Sequence, residues 1–203
     1  MQGSEVQAYY RRHASLYDAT RWAFLVGRRR AVRALALGRT SHVLEIGCGT
    51  GRNFGLLLRE LSPAEGTLTG LDFSGDMLDR AARRVAKERW PNVNLVRADA
   101  SDFALPPRFD AVFICYALSM MPNYRDVLQQ AHAHLRRDGR LVVHDFDRFD
   151  GWGPIGTAMR RLQRRNFVDT DRPIEQAVRD AFGNVEIRRR WGGYCYTAVA
   201  VRR

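Results

Sequence analysis

The stretch "HVLEIGCGTGRNF", residues 42 to 54, decides the fold. Its first part, His42 to Ile46, is a short and mostly apolar run with the length of a buried strand. The run breaks at Gly47, Gly49 and Gly51, and an amphipathic pattern over 51–61 then predicts a helix. Strand, glycine turn and helix make the opening unit of an α/β sheet, in which ligands sit at the carboxyl ends of the strands where strand order reverses. Glycine there lets the backbone come close to a ligand, and the helix start adds oriented N–H donors. The spacing excludes a dinucleotide fingerprint. G-x-G-x-x-G would need glycine at 52 or 54, where Arg52 and Phe54 stand. The pattern present is E-x-G-x-G-x-G, from Glu45 to Gly51.

Working outward, strand and helix patterns alternate. Strands are expected at 67–72, 93–98, 109–115 and 140–146, with helices at 75–88, capped by Ser74, and at 123–136. This rhythm predicts a parallel sheet with helices on both faces. The end of the chain differs. A helix from Pro173 to about Phe182 precedes two strands, 184–190 and 192–203. The Trp191–Gly192–Gly193 turn between them is too short for a crossover, so the last pair should be antiparallel. Before residue 42 the pattern is helical, one segment beginning near residue 5 and a second running from about Trp22 to Leu37.

Two carboxylates extend the site. Asp72 closes the second strand twenty-one residues after Gly51 and is suited to ribose hydroxyls, while Asp99 follows the third strand and is suited to an exocyclic amine. Glu45 is expected to order the glycine loop from beneath.

With these residues in place, the chain resembles the class I S-adenosylmethionine-dependent methyltransferases. "VLEIGCGTG", "GLDFSGDML", "RADASDF" and "FDAVFICYALSMMP" are similar to four of that family's motifs, in the family's order, and the resemblance covers about residues 40 to 203. It implies a Rossmann-like, seven-stranded, mostly parallel sheet with a C-terminal antiparallel hairpin, an N-terminal helical cap over 1–38 and a cofactor domain over 39–203. It implies S-adenosyl-L-methionine as cofactor, held by Gly47, Cys48, Gly49, Gly51, Asp72, Phe73, Met77, Asp99, Ala100 and Tyr116. The cap segment "LYDATRWAFLVGRR", together with "IGCGTGRN" and "YALSMMP", looks most like bacterial betaine-lipid (diacylglyceryl-homoserine) N-methyltransferases and related phospholipid N-methyltransferases. That finer likeness implies methylation of a lipid-headgroup amine at a membrane surface, with Tyr17 near the reacting amine and Arg28 paired with the cofactor carboxylate. Tyr116 and Asp145 complete the candidate catalytic set, Asp145 as a base at the end of the fifth strand beside His144.

The whole chain narrows the alternatives. The 203 residues, 45% hydrophobic, suit one domain with a real core, and no stretch reaches the roughly 20 apolar residues of a membrane span. No apolar signal core stands at the N-terminus, so a cytoplasmic location, peripheral to the inner membrane, is expected. Cys48, Cys115 and Cys195 suit neither a disulfide framework nor a metal site, and no metal is expected. The net charge of +11 favours an anionic partner, although only Lys87 of the 33 basic residues is lysine, a bias that base composition also produces. The segment 154–165 sets Ile155, Ala158, Met159 and Leu162 on one face, with Arg160, Arg161, Arg164 and Arg165 largely off it, and so reads as a basic helix for an anionic lipid surface, with Trp152 as anchor. The other readings are a methyltransferase of a soluble small molecule or quinone, an RNA methyltransferase, for which no binding module is visible, and a non-enzymatic cofactor-binding scaffold. Nucleic acid is not expected as a partner, and oligomeric state is not legible.

Overall fold

The structure is a computed structural model that describes residues 25–105 and 109–203. The first helical segment of the cap, and Tyr17 with it, lie outside the described residues. Five parallel strands form the body of the sheet: β1 (His42–Ile46), β2 (Thr67–Asp72), β3 (Val93–Arg97), β4 (Phe109–Cys115) and β5 (Leu135–Phe146). Strands β6 (Val185–Arg190) and β7 (Cys195–Val201) form the expected antiparallel hairpin, and β7 also pairs antiparallel with β5. The order across the sheet is β3-β2-β1-β4-β5-β7-β6. The chain therefore leaves β1 in one direction and returns to its other side at β4, which opens a crevice beyond the carboxyl ends of these two strands.

The strand sequences dictate the two cores. Strand β1 is buried almost throughout, as a strand covered on both faces must be. Alternate side chains go to opposite faces. Val43, Leu68, Phe113 and Val142 join one cluster with helices α1 (Arg28–Ala34), α2 (Phe54–Leu57) and α3 (Gly75–Glu88). Leu44, Leu71, Val112 and Val143 join the other with α4 (Tyr124–His134) and α6 (Ile174–Phe182). A further helix, α5 (Gly153–Arg165), lies between β5 and α6 in the chain. Ser74 caps α3 as expected, its hydroxyl accepting from the Met77 amide at 3.4 Å.

Several boundaries differ from the sequence reading, and the last strand starts at Cys195 rather than 192. The helix expected over 51–61 is a single α-helical turn, Phe54–Leu57. Gly51 has φ 71°, and Phe54, Glu60 and Leu61 bond three residues back, so the segment winds as tight turns around that one α turn. The helix expected to run to Leu37 stops at Ala34, because Ala36 already takes a left-handed φ of 50°. Strand β5 begins at Leu135 rather than 140, with an irregularity opposite Phe109 and Ala111 that absorbs the extra residues.

Gly70, in the middle of β2, has no room for a side chain. A Cβ there would lie 2.7 Å from the Phe54 ring and 3.0 Å from the Cys48 sulfur. Gly70→Ala is therefore expected to lower the urea unfolding free energy by about 1–3 kcal/mol through overpacking. The backbone-entropy effect of the same change has the opposite sign, so a higher unfolding midpoint in the variant would refute the packing account.

Candidate functional site

The glycine loop is tied to the end of β2. The amides of Gly47 and Cys48 both donate to the Leu71 carbonyl, at 2.8 and 3.0 Å, and the Gly49 amide donates to Asp72 Oδ2 at 2.8 Å. Asp72 Oδ1 accepts from the Ser74 amide at 3.0 Å, so one carboxylate fixes both turns. Gly47 and Gly49 take left-handed φ values of 70° and 54°. At Gly47 a Cβ would also collide with Ala117 and Met121, at 2.8 and 2.9 Å, whereas at Gly49 it would meet only open space. Beyond that loop lies a cavity of about 560 Å³, of small-molecule size.

The structure brings most of the sequence-derived residues to this cavity. Gly47, Cys48, Gly49, Asp72, Phe73, Met77, Asp99, Ala100, Tyr116 and Arg28 all line it. Gly51 does not; it sits behind the loop, where a Cβ would lie 2.7 Å from the Phe54 ring. Asp145 does not line it either. Wholly buried, Asp145 accepts from the Ser119 amide and hydroxyl, both at 2.9 Å, and from the Phe146 amide at 2.8 Å. That carboxylate braces the turn after β4, and the side chain expected as a base lies outside the cavity lining. The rest of the lining is mixed: Leu25, Met120, Met121, Pro122 and Val127 are apolar, while Arg52, Asn53, Arg97 and Asn123 are polar or charged. Leu25 lies inside the cap segment and the two methionines inside the segment after the fourth strand that carry the resemblance, but an apolar side chain has no polar chemistry to single it out as a site residue.

Beneath the loop, Glu45 is buried. Its Oε1 accepts from Asn53 Nδ2 at 2.6 Å, and its Oε2 has no protein partner. Burial pushes its carboxyl up to about 8, against the pull of Asn53 and of Arg28, so it is protonated at neutral pH. Burial also raises Asp72, while the amides of Ser74, Gly49 and Phe73 hold it down. Arg28 reaches from α1 to the Asn53 side-chain oxygen at 3.2 Å and the Arg52 carbonyl at 3.3 Å.

One backbone carbonyl gathers the other polar groups. Val26 O accepts from the Tyr116 hydroxyl at 2.7 Å and from His144 Nε2 at 2.8 Å. His144 Nδ1 meets the Thr197 hydroxyl at 2.9 Å. With Nε2 donating to a carbonyl, Nδ1 is the acceptor, and burial lowers the imidazole further into its neutral form. Burial raises the Tyr116 phenol far above its ordinary range. Neither group is free to take a proton from a ligand.

Residues 43–139 match the family model described as a methyltransferase domain. The match covers just under half of the chain, and the cofactor of such a domain is S-adenosylmethionine. The chain is similar to a demethylmenaquinone methyltransferase of Listeria monocytogenes, 30% identical over 137 residues, which are 66% of this chain and 57% of the relative. The chain thus spans a little over half the length of that curated relative. A methyltransferase structure from Aquifex aeolicus superimposes over 100% of both chains, with a TM-score of 0.72 at 18% identity. The N-methyltransferase NodS from Bradyrhizobium japonicum, solved with S-adenosyl-L-homocysteine, matches 86% of this chain and 85% of its own, with a TM-score of 0.67 at 21% identity. The curated relative is named for a quinone acceptor and not for the betaine lipid expected from the cap sequence. Among the described residues no cluster could hold a metal ion.

The residues present fit the cofactor. A carboxylate offers about four lone-pair sites, and the loop amides of Gly49 and Ser74 use one on each Asp72 oxygen. On Asp99, among the described residues, Oδ1 is the oxygen engaged, by the Ser101 amide and hydroxyl at 2.8 and 2.7 Å. The open space at Gly49 is a cradle that any side chain would fill.

Glu45 yields a pH test. Its folded pKa lies above the unfolded value of 4.5, so its contribution to stability is present below that value and is lost as pH rises through about 8. Between about pH 5 and about pH 8 the wild type should lose, relative to Glu45→Gln, on the order of 4 kcal/mol of unfolding free energy. Urea titrations of both proteins at the two pH values measure it, and parallel pH profiles would count against a buried neutral Glu45.

Proposed function

We propose that the protein transfers a methyl group from S-adenosylmethionine to a small apolar acceptor, with a quinol-type ring as the favoured class. The observation that carries the reading is that the apolar side chains of Leu25, Met120, Met121, Pro122 and Val127 line the same cavity as the residues expected to bind the cofactor. The name of the curated relative agrees with it.

When bound, S-adenosylmethionine supplies a methyl group on a positively charged sulfur. In this reading Asp72 accepts from the ribose hydroxyls and Asp99 Oδ2 from the adenine amine, with Phe73, Met77 and Ala100 packing about the base. The backbone of Gly47, Cys48 and Gly49 lies against the amino-acid end, and Arg28 pairs with its carboxylate. Tyr116 contributes its ring and its place at the strand end, since its hydroxyl is committed to Val26. Tyr17 is the cap residue proposed to reach the reacting atom.

The protein's share of catalysis is then positioning and exclusion of water, which suffices where the methyl is already electrophilic. Such a site selects acceptors that are electron-rich without a dedicated base, as an ionised hydroquinone or an amine is. A lipid-headgroup amine at a membrane surface is the second reading, favoured by the solvent-facing Ile155 and Leu162 on a helix bearing four arginines.

Two measurements test the reading. Asp72→Ala should weaken S-adenosylhomocysteine binding at least about tenfold in calorimetry, the loss expected of charge-assisted hydrogen bonds to a buried ligand. Incubation with labelled S-adenosylmethionine and either a demethylated menaquinol analogue or phosphatidylethanolamine should label the ring compound. Label in the amine alone would move the assignment to the lipid headgroup.

A further inference from the structure

The large apolar side chains that the described residues expose are Val26, Trp152, Ile155, Leu162 and Trp191, at 36, 37, 65, 52 and 47%. They fall along one rim. The Trp152 indole donates to the Trp191 carbonyl at 2.8 Å. The Trp191 ring abuts Gly27, where a Cβ would lie 3.5 Å from it, and Val26 is the next residue. Leu25, one step further, lines the cavity. On the other side of Trp152 the chain enters α5, where Ile155, Ala158 and Leu162 recur at helical spacing and all face solvent.

Helix α5 is laid down by its opposite side. A Cβ on Gly156 would lie 2.3 Å from the Phe149 carbonyl, so the backbones touch there, and Gln163 is buried on the same side. The arginines divide accordingly. Arg160 is held by Asp150 and by the Arg148 carbonyl, and Arg164 by Asp171. Arg161 and Arg165 have no acidic partner among the described residues, and helical phase sets both beside the Ile155–Ala158–Leu162 stripe. Only two of the four arginines in the sequence reading therefore share the open apolar face. Asp150 and Asp171, the acids nearest α5 in these contacts, are the ones neutralised by Arg160 and Arg164.

We propose that this rim docks the protein on an anionic lipid bilayer. Ile155, Leu162 and the two tryptophans enter the interfacial layer, and Arg161 and Arg165 meet lipid phosphates. Charge complementarity selects this occupant. Aliphatic and indole side chains flanked by arginines free of protein carboxylates, on a chain of net charge +11, match the interfacial zone of an anionic membrane. The docked rim would bring the Leu25 edge of the cavity to the layer in which an apolar acceptor dissolves. The inference deepens the proposed function in that respect, but its test is read without methyl transfer.

The full chain is floated with phosphatidylcholine vesicles, with and without phosphatidylglycerol, while tryptophan emission is recorded. Flotation and a blue shift are expected only with the anionic lipid. Ile155→Glu with Leu162→Glu should abolish both. Arg161→Gln with Arg165→Gln should lower partitioning about tenfold or more, and added salt should do the same. Calorimetric binding of S-adenosylhomocysteine, expected to be retained in both variants, verifies that they fold. Absence of flotation would overturn the proposal, as would flotation that the glutamate pair leaves intact. A dimer in sedimentation equilibrium that the glutamate pair dissociates would also overturn it, assigning the rim to a second copy of the chain.

Discussion

One buried carboxylate holds the site in shape. Asp72 ends β2 and takes an amide from each of two turns that do not otherwise define one another, Gly49 in the loop after β1 and Ser74 at the start of α3. Burial alone would favour a neutral acid, and the amides are what oppose it. A carboxylate so placed does two things. It turns the flexible glycine loop into a fixed concave wall, and it keeps lone pairs directed at the space where that wall opens. An alanine at 72 would leave the Gly49 and Ser74 amides seeking other acceptors, and the cavity outline would go with them.

A second convergence limits the chemistry. The Val26 carbonyl receives both the Tyr116 hydroxyl and His144 Nε2, and Asp145 is spent on Ser119 and Phe146. Three side chains that end near the carboxyl edge of the sheet, each of a type used for proton transfer elsewhere, are hydrogen-bonded within the protein here. They bind the segment before α1 to the sheet and the turn after β4 to β5. Gly27 makes the first attachment possible, since its φ of 83° and the 2.9 Å approach of a Cβ to the His144 ring leave room for no other residue. Among the described residues the cavity is thus a shaped and mostly apolar container, and the reactivity proposed for it comes from what it aligns.

The sequence made legible those features set by local residue type and spacing. The order of strands and helices, the closing hairpin, the Ser74 cap and the two site carboxylates follow from period and position. What it hid was set by contacts between distant segments. A backbone acceptor such as Val26 O leaves no trace in residue type, so nothing marked His144 and Tyr116 as already engaged. Asp145 looked like a base because strand ends face the ligand crevice, yet its partner Ser119 is brought to it only by folding. The short α2 depends on Gly51 and on the seating of Phe54 over Gly70. On α5 helical phase was readable, but which arginines find acids was not.

The charge arrangement under the glycine loop follows from these contacts. Arg28 donates to the Leu25 and Arg52 carbonyls and to Asn53 Oδ1, all neutral acceptors, and it has no ion-pair partner among the described residues. The nearest acid in its network, Glu45, is reached only through Asn53 and is protonated at neutral pH because burial outweighs the attraction of Arg28. Had Glu45 stayed ionised, it would have balanced the guanidinium from below, and an anion arriving in the cavity would have had little to gain. Keeping Glu45 neutral leaves Arg28 without an anionic partner among the described residues. In the function proposed above, the carboxylate of the cofactor's amino-acid end completes that pair, which sets the direction in which the cofactor enters the cavity.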